Sequence, residues 1–143
     1  NWIASRFSAL TKAHLVSQED IIINDRIIEV EGRTDDLLWC RFDELCMKPR
    51  SAADFIEIAK LYNTVLVGRV PVLNDQIADA TRRLIYLVDE FYDRRVKLVM
   101  TAQQPILELY QGEKLAFEIQ RTRSRLLEMQ SDDYLSEAHR QSD

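Results

Sequence analysis

The sequence predicts an α/β fold, in which a short β-hairpin and a parallel βαβ unit are covered by helices and followed by a long C-terminal helix. Three patterns support this fold class. Apolar β-branched runs flank a turn at residues 24–26, strand, helix and strand patterns alternate over residues 64–100, and helical periodicity occupies residues 115–135.

The first part of the chain predicts one helix and one hairpin. An amphipathic helix is expected over residues 1–13 from the spacing of Trp2, Ile3, Phe7 and Leu10. Strands are expected at 21–23 and 27–30, because isoleucine-rich runs there flank Asn24-Asp25-Arg26. The turn contains no glycine, so its type stays open.

The middle of the chain predicts a further strand and a capped helix. Residues 37–42 are rich in apolar and aromatic side chains and indicate a strand, which one helical turn follows at 43–46. Ser51 suits the N-cap of a helix that runs to Tyr62, and Asp54 places a negative charge in its first turn.

The predicted βαβ unit comprises a strand at 64–67, a helix at 75–95 and a strand at 96–100. The first strand is apolar on both faces, which is typical of a central strand in a covered sheet. Residues 68–71 are expected to form a loop. This order of elements predicts that the two strands pair in parallel through a right-handed crossover.

The last part of the chain predicts two helices and a tail. A short helix is expected at 105–110, begun by a proline and ended by Gly112. A long helix is expected over 115–135, and the polar tail at 136–143 is expected to fray. No shift in composition marks a domain boundary, so residues 1–143 are predicted to form a single unit.

Composition excludes several kinds of function from this chain. It carries 19 Lys and Arg against 24 Asp and Glu, a net charge of −5, which argues against a sequence-independent grip on nucleic acid. Its three glycines, Gly32, Gly68 and Gly112, lie far apart, so the chain builds no glycine-rich phosphate loop. No apolar run approaches the roughly 20 residues that span a bilayer, so no integral membrane segment is expected.

The two cysteines predict packed, reduced thiols. Cys40 and Cys46 stand in apolar company, and together with His14 and His139 they make no zinc pattern. No metal site is predicted. Thiols of this kind, in a chain that shows no signal peptide, favour a cytoplasmic location.

One carboxylate stands out from the acidic residues as a candidate for a site. Asp89 lies within the apolar stretch 87–91, where a charged group requires a partner, and Arg82, Arg83 and Arg94 are candidates for that partner. The alternative is that Asp89 lies on a solvated helix face. The same alternative holds for the acidic pairs Asp35-Asp36 and Asp132-Asp133.

Arginine is the more informative residue type. Arg121, Arg123 and Arg125 alternate on a predicted helix, where three such positions spread over an arc of about 200°. One interpretation is a solvated helix with Glu118 and Glu128 as local partners. The other is that one arginine reaches a phosphate, since the planar guanidinium binds phosphate oxygens bidentately. Such an arginine can act in phosphoryl transfer in cis or in trans.

Four segments then carry motifs in a specific order. They are W-C-R-F-D-E-L-C and P-R-S-A-A-D-F within 39–55, T-V-L-V-G-R-V-P at 64–71, R-R-L-I-Y-L-V-D-E-F-Y-D-R-R-V-K-L at 82–98, and R-T-R-S-R-L-L-E-M-Q-S-D-D-Y at 121–134. Together they resemble the motifs of the ZapE/AFG-type ATPases, a branch of the AAA+ class, from about residue 2 to residue 135. Two departures are Asn63, where the family usually has His, and Arg69, where Asp or another small polar residue is common.

The resemblance implies that this chain is the C-terminal portion of such an ATPase. The full-length protein would then bind ATP and Mg²⁺ and hydrolyse ATP, with its phosphate loop upstream, whereas the present chain alone would bind neither and would be inactive. The implied partners are the N-terminal P-loop part, further copies of the chain and, for bacterial members, the FtsZ ring of cell division.

The resemblance also implies roles for individual residues. Arg125 is the first candidate for an arginine that senses or contacts the γ-phosphate, followed by Arg83 and Arg121. Supporting positions that match the family motifs are Arg82, Asp89, Asp93 and Ser124, with the two aspartates read as structural partners of the arginines. Two alternatives remain beside this interpretation: a protein-interaction module without nucleotide chemistry, and a small independent α/β enzyme.

Overall fold

The computed structural model describes residues 17–140, so the helix expected over residues 1–13 lies outside the described residues. Within them the chain forms a two-stranded hairpin and a four-stranded sheet, with helices packed on one face of that sheet. The predicted α/β class, with its hairpin, its parallel strands and a long helix toward the C-terminus, is confirmed.

The hairpin consists of β1 (Ile21–Ile23) and β2 (Arg26–Ile28), which pair antiparallel. Asn24 and Asp25 form the turn with φ angles of 51° and 66°. Two consecutive positive φ values identify a type I′ turn, whose twist matches that of the strands. Asn and Asp tolerate this conformation better than other non-glycine residues, which explains a tight turn without glycine.

The second hairpin strand is shorter than expected. The prediction that it runs to Val30 is wrong, because it ends at Ile28. The amide of Glu29 donates to the carboxylate of Glu44, and the amide of Val30 donates to the carboxylate of Asp20. These side-chain acceptors replace the ladder bonds that would have continued the strand.

The main sheet has the order β3-β4-β5-β6, with β3 (Gly32–Arg33), β4 (Leu37–Arg41), β5 (Thr64–Val70) and β6 (Lys97–Ala102). The pair β3–β4 is antiparallel, while β4–β5 and β5–β6 are parallel. The predicted parallel unit is therefore confirmed, and a third parallel strand, β4, joins it.

A bulge lengthens β5. The prediction of a loop at 68–71 is wrong for its first three residues, since the strand continues to Val70. The register shifts between Val67 and Val70, where Arg69 has φ 60° and its amide donates to the hydroxyl of Thr101. A bulge absorbs the extra residue without ending the pairing.

Two helices cover one face of the sheet. A π-helical turn (Asp43–Met47) leads into α1 (Ala52–Leu61), and a 3₁₀ turn (Asp75–Ile77), capped by the side chain of Asn74, leads into α2 (Ala78–Asp93). The two helices pack against each other. The core between them and the sheet includes Leu38, Cys40, Phe55, Ile58, Val65, Val67, Leu84, Leu87 and Phe91.

The C-terminal third of the fold is α3 (Ile106–Leu109), α4 (Ala116–Glu128) and α5 (Asp132–Ser136). The prediction of one continuous helix over 115–135 is wrong. The hydroxyl of Ser131 accepts the amide of Tyr134 and so caps a new helix, which places a corner between α4 and α5.

The tail is held where it was expected to fray. Glu137 lies 2.7 Å from the guanidinium of Arg95, and the ring of His139 hydrogen-bonds the carbonyl of Ala59. The expectation of fraying is therefore wrong for residues 137–139. The two cysteines are free and buried, as predicted, and burial raises the pKa of each thiol.

Candidate functional site

The pairing of α4 with α2 brings two of the three leading arginines to one carboxylate. Arg121 and Arg125 stand four residues apart on α4, so both project toward α2. The Nη1 of Arg125 lies 2.6 Å from Oδ1 of Asp89, and the Nη2 of Arg121 lies 3.2 Å from Oδ2 of the same residue. Asp89 therefore binds both guanidinium groups at once.

Tyr92, one turn further along α2, completes the contact. The guanidinium carbon of Arg125 lies 4.7 Å from the centre of the Tyr92 ring, within the range of a cation–π interaction. The hydroxyl of Tyr92 donates to the carboxylate of Glu128 at 2.9 Å, and this bond raises the pKa of Tyr92. We call Asp89, Tyr92, Arg121, Arg125 and Glu128 the Asp89 cluster.

Exposure differs sharply between the two arginines of the Asp89 cluster. The side chain of Arg125 is 24% exposed, close to the 20% of Asp89, whereas that of Arg121 is 62% exposed. Arg125 is thus held on two sides by its carboxylate and its ring. Arg121 keeps most of its five N–H donors directed to solvent.

A second group of contacts anchors α5 beside the Asp89 cluster. The guanidinium of Arg95 lies 5.0 Å from the ring of Tyr92 and 5.5 Å from the ring of Tyr134. Glu137 hydrogen-bonds Arg95, which lowers the pKa of that carboxyl. The buried hydroxyl of Tyr134 lies 2.6 Å from the carbonyl of Val96. The segments 82–98 and 121–134 are therefore joined by ring contacts and by hydrogen bonds.

Arg83 lies elsewhere. Its Nη1 donates to the carbonyl of Cys46 at 2.9 Å, and it lines a depression of about 480 Å³ at the start of α2 together with Asp75, Asp79 and Lys114. The structure does not bring Arg83 into the Asp89 cluster. As a candidate it belongs to a separate surface.

The remaining predicted positions lie at the surface of the same helices. Arg82 on α2 and Ser124 on α4 are exposed. Asp93, at the end of α2, is also exposed, and its carbonyl accepts a hydrogen bond from Arg140. Arg123 points away from the Asp89 cluster and donates to the carbonyl of Tyr110, as its position halfway between Arg121 and Arg125 requires.

Two of the three arginines first expected as partners of Asp89 are too far from it along α2. Arg82 and Arg83 stand seven and six residues before it on α2, which is about 10 Å along the helix axis. Side chains on one helix meet at spacings of three or four residues, so the carboxylate is satisfied from the neighbouring helix instead. The resemblance implied that Asp89 and Asp93 are structural partners of the candidate arginines. Asp89 contacts Arg121 and Arg125, whereas Arg83 donates to the carbonyl of Cys46.

One buried charge escaped the sequence reasoning. Glu44, in the π-helical turn, accepts from Arg50 at 2.9 Å, from Lys48 at 2.6 Å and from the amide of Glu29 at 3.0 Å. The signal was available, because Glu44 stands between Phe42 and Leu45 just as Asp89 stands between apolar neighbours. The hydrogen bonds of Glu44 join the turn that follows β4 to the end of the hairpin and to the start of α1.

The Asp89 cluster suits anion recognition better than acid–base chemistry. It offers guanidinium donors that stay charged at all physiological pH values and bind phosphate oxygens. Within residues 17–140, no three His, Cys, Asp or Glu side chains converge on a metal-sized space. The guanidinium groups of Arg121 and Arg125 fit a contact with phosphate oxygens. No helix within residues 17–140 combines the length and apolar composition that crossing a bilayer requires.

Residues 2–138 match the family model of the AFG1-like ATPases. The chain is 45% identical over 117 residues to the cell division protein ZapE of Escherichia coli K12, an alignment that covers 82% of this chain and 31% of that protein. It is 34% identical over 122 residues to the lactation elevated protein 1 homolog B of Danio rerio, covering 80% of this chain and 24% of that protein.

The chain thus spans less than a third of the length of these relatives. No solved structure matches it significantly.

Proposed function

The chain belongs to the family of AFG1-like ATPases, and we propose that it is the part of such an enzyme that brings an arginine to the nucleotide. Its partner in this task is a phosphate-loop segment outside these 143 residues. When bound there, ATP with Mg²⁺ supplies the phosphoanhydride bond that water cleaves.

The observation that carries the proposal is the geometry around Asp89. The carboxylate fixes the position of Arg125 through a 2.6 Å contact and leaves Arg121 largely exposed beside it. An arginine that stabilises charge developing on a transferred phosphoryl group must be held in place and yet reach out from its own surface. Arg121 meets both conditions, with Arg125 as the group that orients its carboxylate partner. This reverses the order of the two candidates expected from the motif.

The proposal extends to the setting in which the enzyme works. We also propose that the full-length protein acts in cell division in the cytoplasm, with a division protein of the FtsZ type as its partner. The name of one relative, a cell division protein, supports this part of the proposal.

A test uses the full-length protein and separates hydrolysis from binding. Replacing Arg121 by Ala is expected to lower the turnover of ATP by about a thousandfold, while the affinity for a fluorescent ATP analogue changes less than about threefold. Arg41→Ala is the matched control. Arg41 is a part-exposed arginine that pairs with Glu31 and Asp43, on a segment of the chain that does not contribute to the Asp89 cluster. Unchanged turnover in both Arg121→Ala and Arg125→Lys contradicts the proposal.

The second candidate is an interaction module without nucleotide chemistry. It is favoured by the engagement of Arg125 with Asp89 and of Arg83 with the carbonyl of Cys46, since both arginines already have partners within the chain. Under this interpretation Arg121→Ala changes neither turnover nor nucleotide affinity. Under the first, the 143-residue chain alone shows no ATP turnover, and turnover by that chain contradicts it.

A further inference from the structure

The outer edge of β6 is the feature from which we infer a docking site. β6 is the last strand of the sheet, and no strand within residues 17–140 pairs with its outer side. Leu98, Val99 and Met100 occupy its middle and are only half-buried. Natural sheets protect their edges with charges, proline or bulges. β6 carries one charge, that of Lys97 at its start, whereas its middle residues Leu98, Val99 and Met100 carry no charge, proline or bulge.

A groove runs along this edge. It encloses about 440 Å³ between β6, α3 and the end of α4, and its apolar wall consists of Leu98, Met100, Ile106, Leu109, Leu126 and Met129. Gln103, Gln104 and Gln130 stand at its polar side. Unpaired backbone groups beside an apolar groove suit an extended segment that bonds the strand and inserts alternate side chains.

We propose that the occupant is a parallel strand of the phosphate-loop segment of the full-length protein, which extends the order to β4-β5-β6 and a further strand. This inference rests on the proposed function. The chain covers 31% and 24% of two relatives, so most of such a protein lies outside it. A phosphate loop follows a β-strand directly, and a further parallel strand requires a crossover of a dozen or more residues, which that length accommodates.

Docking at this edge has a consequence for the arginines. Leu126 lines the groove, and Arg125 precedes it on α4. A strand seated in the groove therefore contacts the same helix that carries Arg121 and Arg125. The Asp89 cluster is then held at a fixed distance from the loop that follows the docked strand.

Hydrogen–deuterium exchange tests the docking directly. The amides of β6 are compared in the 143-residue chain and in the full-length protein, with α1 as an internal reference. We expect exchange within β6 to slow at least about tenfold in the full-length protein, and α1 to be unchanged. Equal exchange of β6 in both proteins overturns the proposal. Protection that appears in the 143-residue chain alone, and grows with its concentration, identifies a second copy as the occupant and also overturns it.

A variant separates this inference from the proposed function. Ala102 is exposed and lines the groove, so Ala102→Arg in the full-length protein is expected to restore fast exchange in β6, whereas Phe117→Arg on the exposed side of α4 is not. Slow exchange in β6 together with an absence of ATP turnover supports docking and contradicts the proposed function. Turnover with unprotected β6 supports the function and overturns the docking.

Discussion

The carboxylate of Glu44 lies 2.9 Å from the guanidinium of Arg50, and the two side chains are only 1% and 5% exposed. Arg50 also donates to the carbonyl of Glu44, at 3.2 Å. The pair joins the π-helical turn to the start of α1, at the centre of the motif segment 39–55. This pair is buried within the fold, whereas in the Asp89 cluster Arg121 is 62% exposed and Arg125 is 24% exposed.

Removing the carboxylate of Glu44 is expected to destabilise the fold strongly. Glu44→Ala leaves Arg50 buried without a charge partner, and we expect a loss of about 3 kcal/mol in the free energy of unfolding. Urea denaturation measures it. Glu31→Ala, which breaks the part-exposed pair with Arg41, serves as the control and is expected to lose less than about 1 kcal/mol. Equal losses in both variants contradict the structural role of Glu44.

The same carboxyl predicts a dependence on pH. Burial alone raises the pKa of Glu44, but the hydrogen bonds from Lys48 and from the amide of Glu29 outweigh it, so the pKa lies below its usual range. A carboxyl whose pKa is lower in the folded state stabilises the fold above its unfolded pKa, and this contribution disappears as the pH falls through the folded pKa. The stability difference between the native chain and Glu44→Gln should therefore be largest near pH 7 and shrink below about pH 4. A constant difference over this range contradicts the assignment.

Removing the hydroxyl of Tyr134 is expected to destabilise the fold, because this buried group makes two hydrogen bonds. It reaches the carbonyl of Val96 at 2.6 Å and that of Phe91 at 3.1 Å, and burial raises the pKa of the hydroxyl. Tyr134→Phe removes both hydrogen bonds and deprives the carbonyl of Val96 of this donor, while the carbonyl of Phe91 keeps the amide of Val96. We expect a loss of about 1–3 kcal/mol in the free energy of unfolding. Tyr92→Phe, whose hydroxyl bonds the exposed Glu128, is expected to lose less. Thermal unfolding measures the loss of stability in both variants. A smaller loss for Tyr134→Phe than for Tyr92→Phe contradicts the prediction.

Replacing Gly112 by a residue with a side chain is expected to cause a steric clash. A Cβ at this position would lie 2.5 Å from Oδ1 of Asp75 and 2.7 Å from the hydroxyl of Tyr110. Both atoms are engaged, because Asp75 accepts the amides of Glu113 and Lys114 and the hydroxyl of Tyr110 accepts the amide of Leu115. Gly112→Ala should cost about 1–3 kcal/mol in unfolding free energy. Glu113→Ala changes only an exposed side chain and is the control, so a neutral Gly112→Ala variant contradicts the described turn.

The hairpin turn predicts a stabilising substitution. Asp25 has φ 66°, a conformation that glycine adopts without steric cost. Asp25→Gly creates the Asn-Gly pair favoured by type I′ turns and is expected to raise the unfolding free energy by about 0.5–1 kcal/mol. Asp25→Ala is expected to lower it. If both variants change stability in the same direction, the turn is not of type I′.

The parts of the fold that could be predicted are those with strong local periodicity. Strands β5 and β6 and helix α2 follow from runs of apolar residues, and their parallel arrangement follows from their order. The end of β5 could not be predicted, because a bulge at Arg69 continues the pairing through Gly68 and Arg69, which resemble a loop in composition. The break between α4 and α5 depends on one hydroxyl, that of Ser131, accepting the Tyr134 amide.

The candidate site was predictable only in part for a related reason. The need of Asp89 for a cationic partner can be read from its apolar neighbours. Which arginine pairs with Asp89 depends on how α4 packs on α2. This is a long-range contact that local sequence spacing does not indicate. The motifs indicated Arg125 first, followed by Arg83 and Arg121. The fold places Arg83 on a separate surface, and the exposed fractions distinguish Arg121 from Arg125.

The order of the parallel strands has a consequence for how the chain is made. β4, β5 and β6 are neighbours in space in the order in which they follow one another along the chain. During synthesis from the N-terminus, β5 finds β4 already complete, and β6 in turn finds β5. Tyr134 emerges after all four strands of this sheet, and its hydroxyl then bonds the carbonyls of Phe91 and Val96. A ribosome that pauses after β6 would therefore hold the strands β3 to β6 without the hydrogen bonds that Tyr134 makes to Phe91 and Val96.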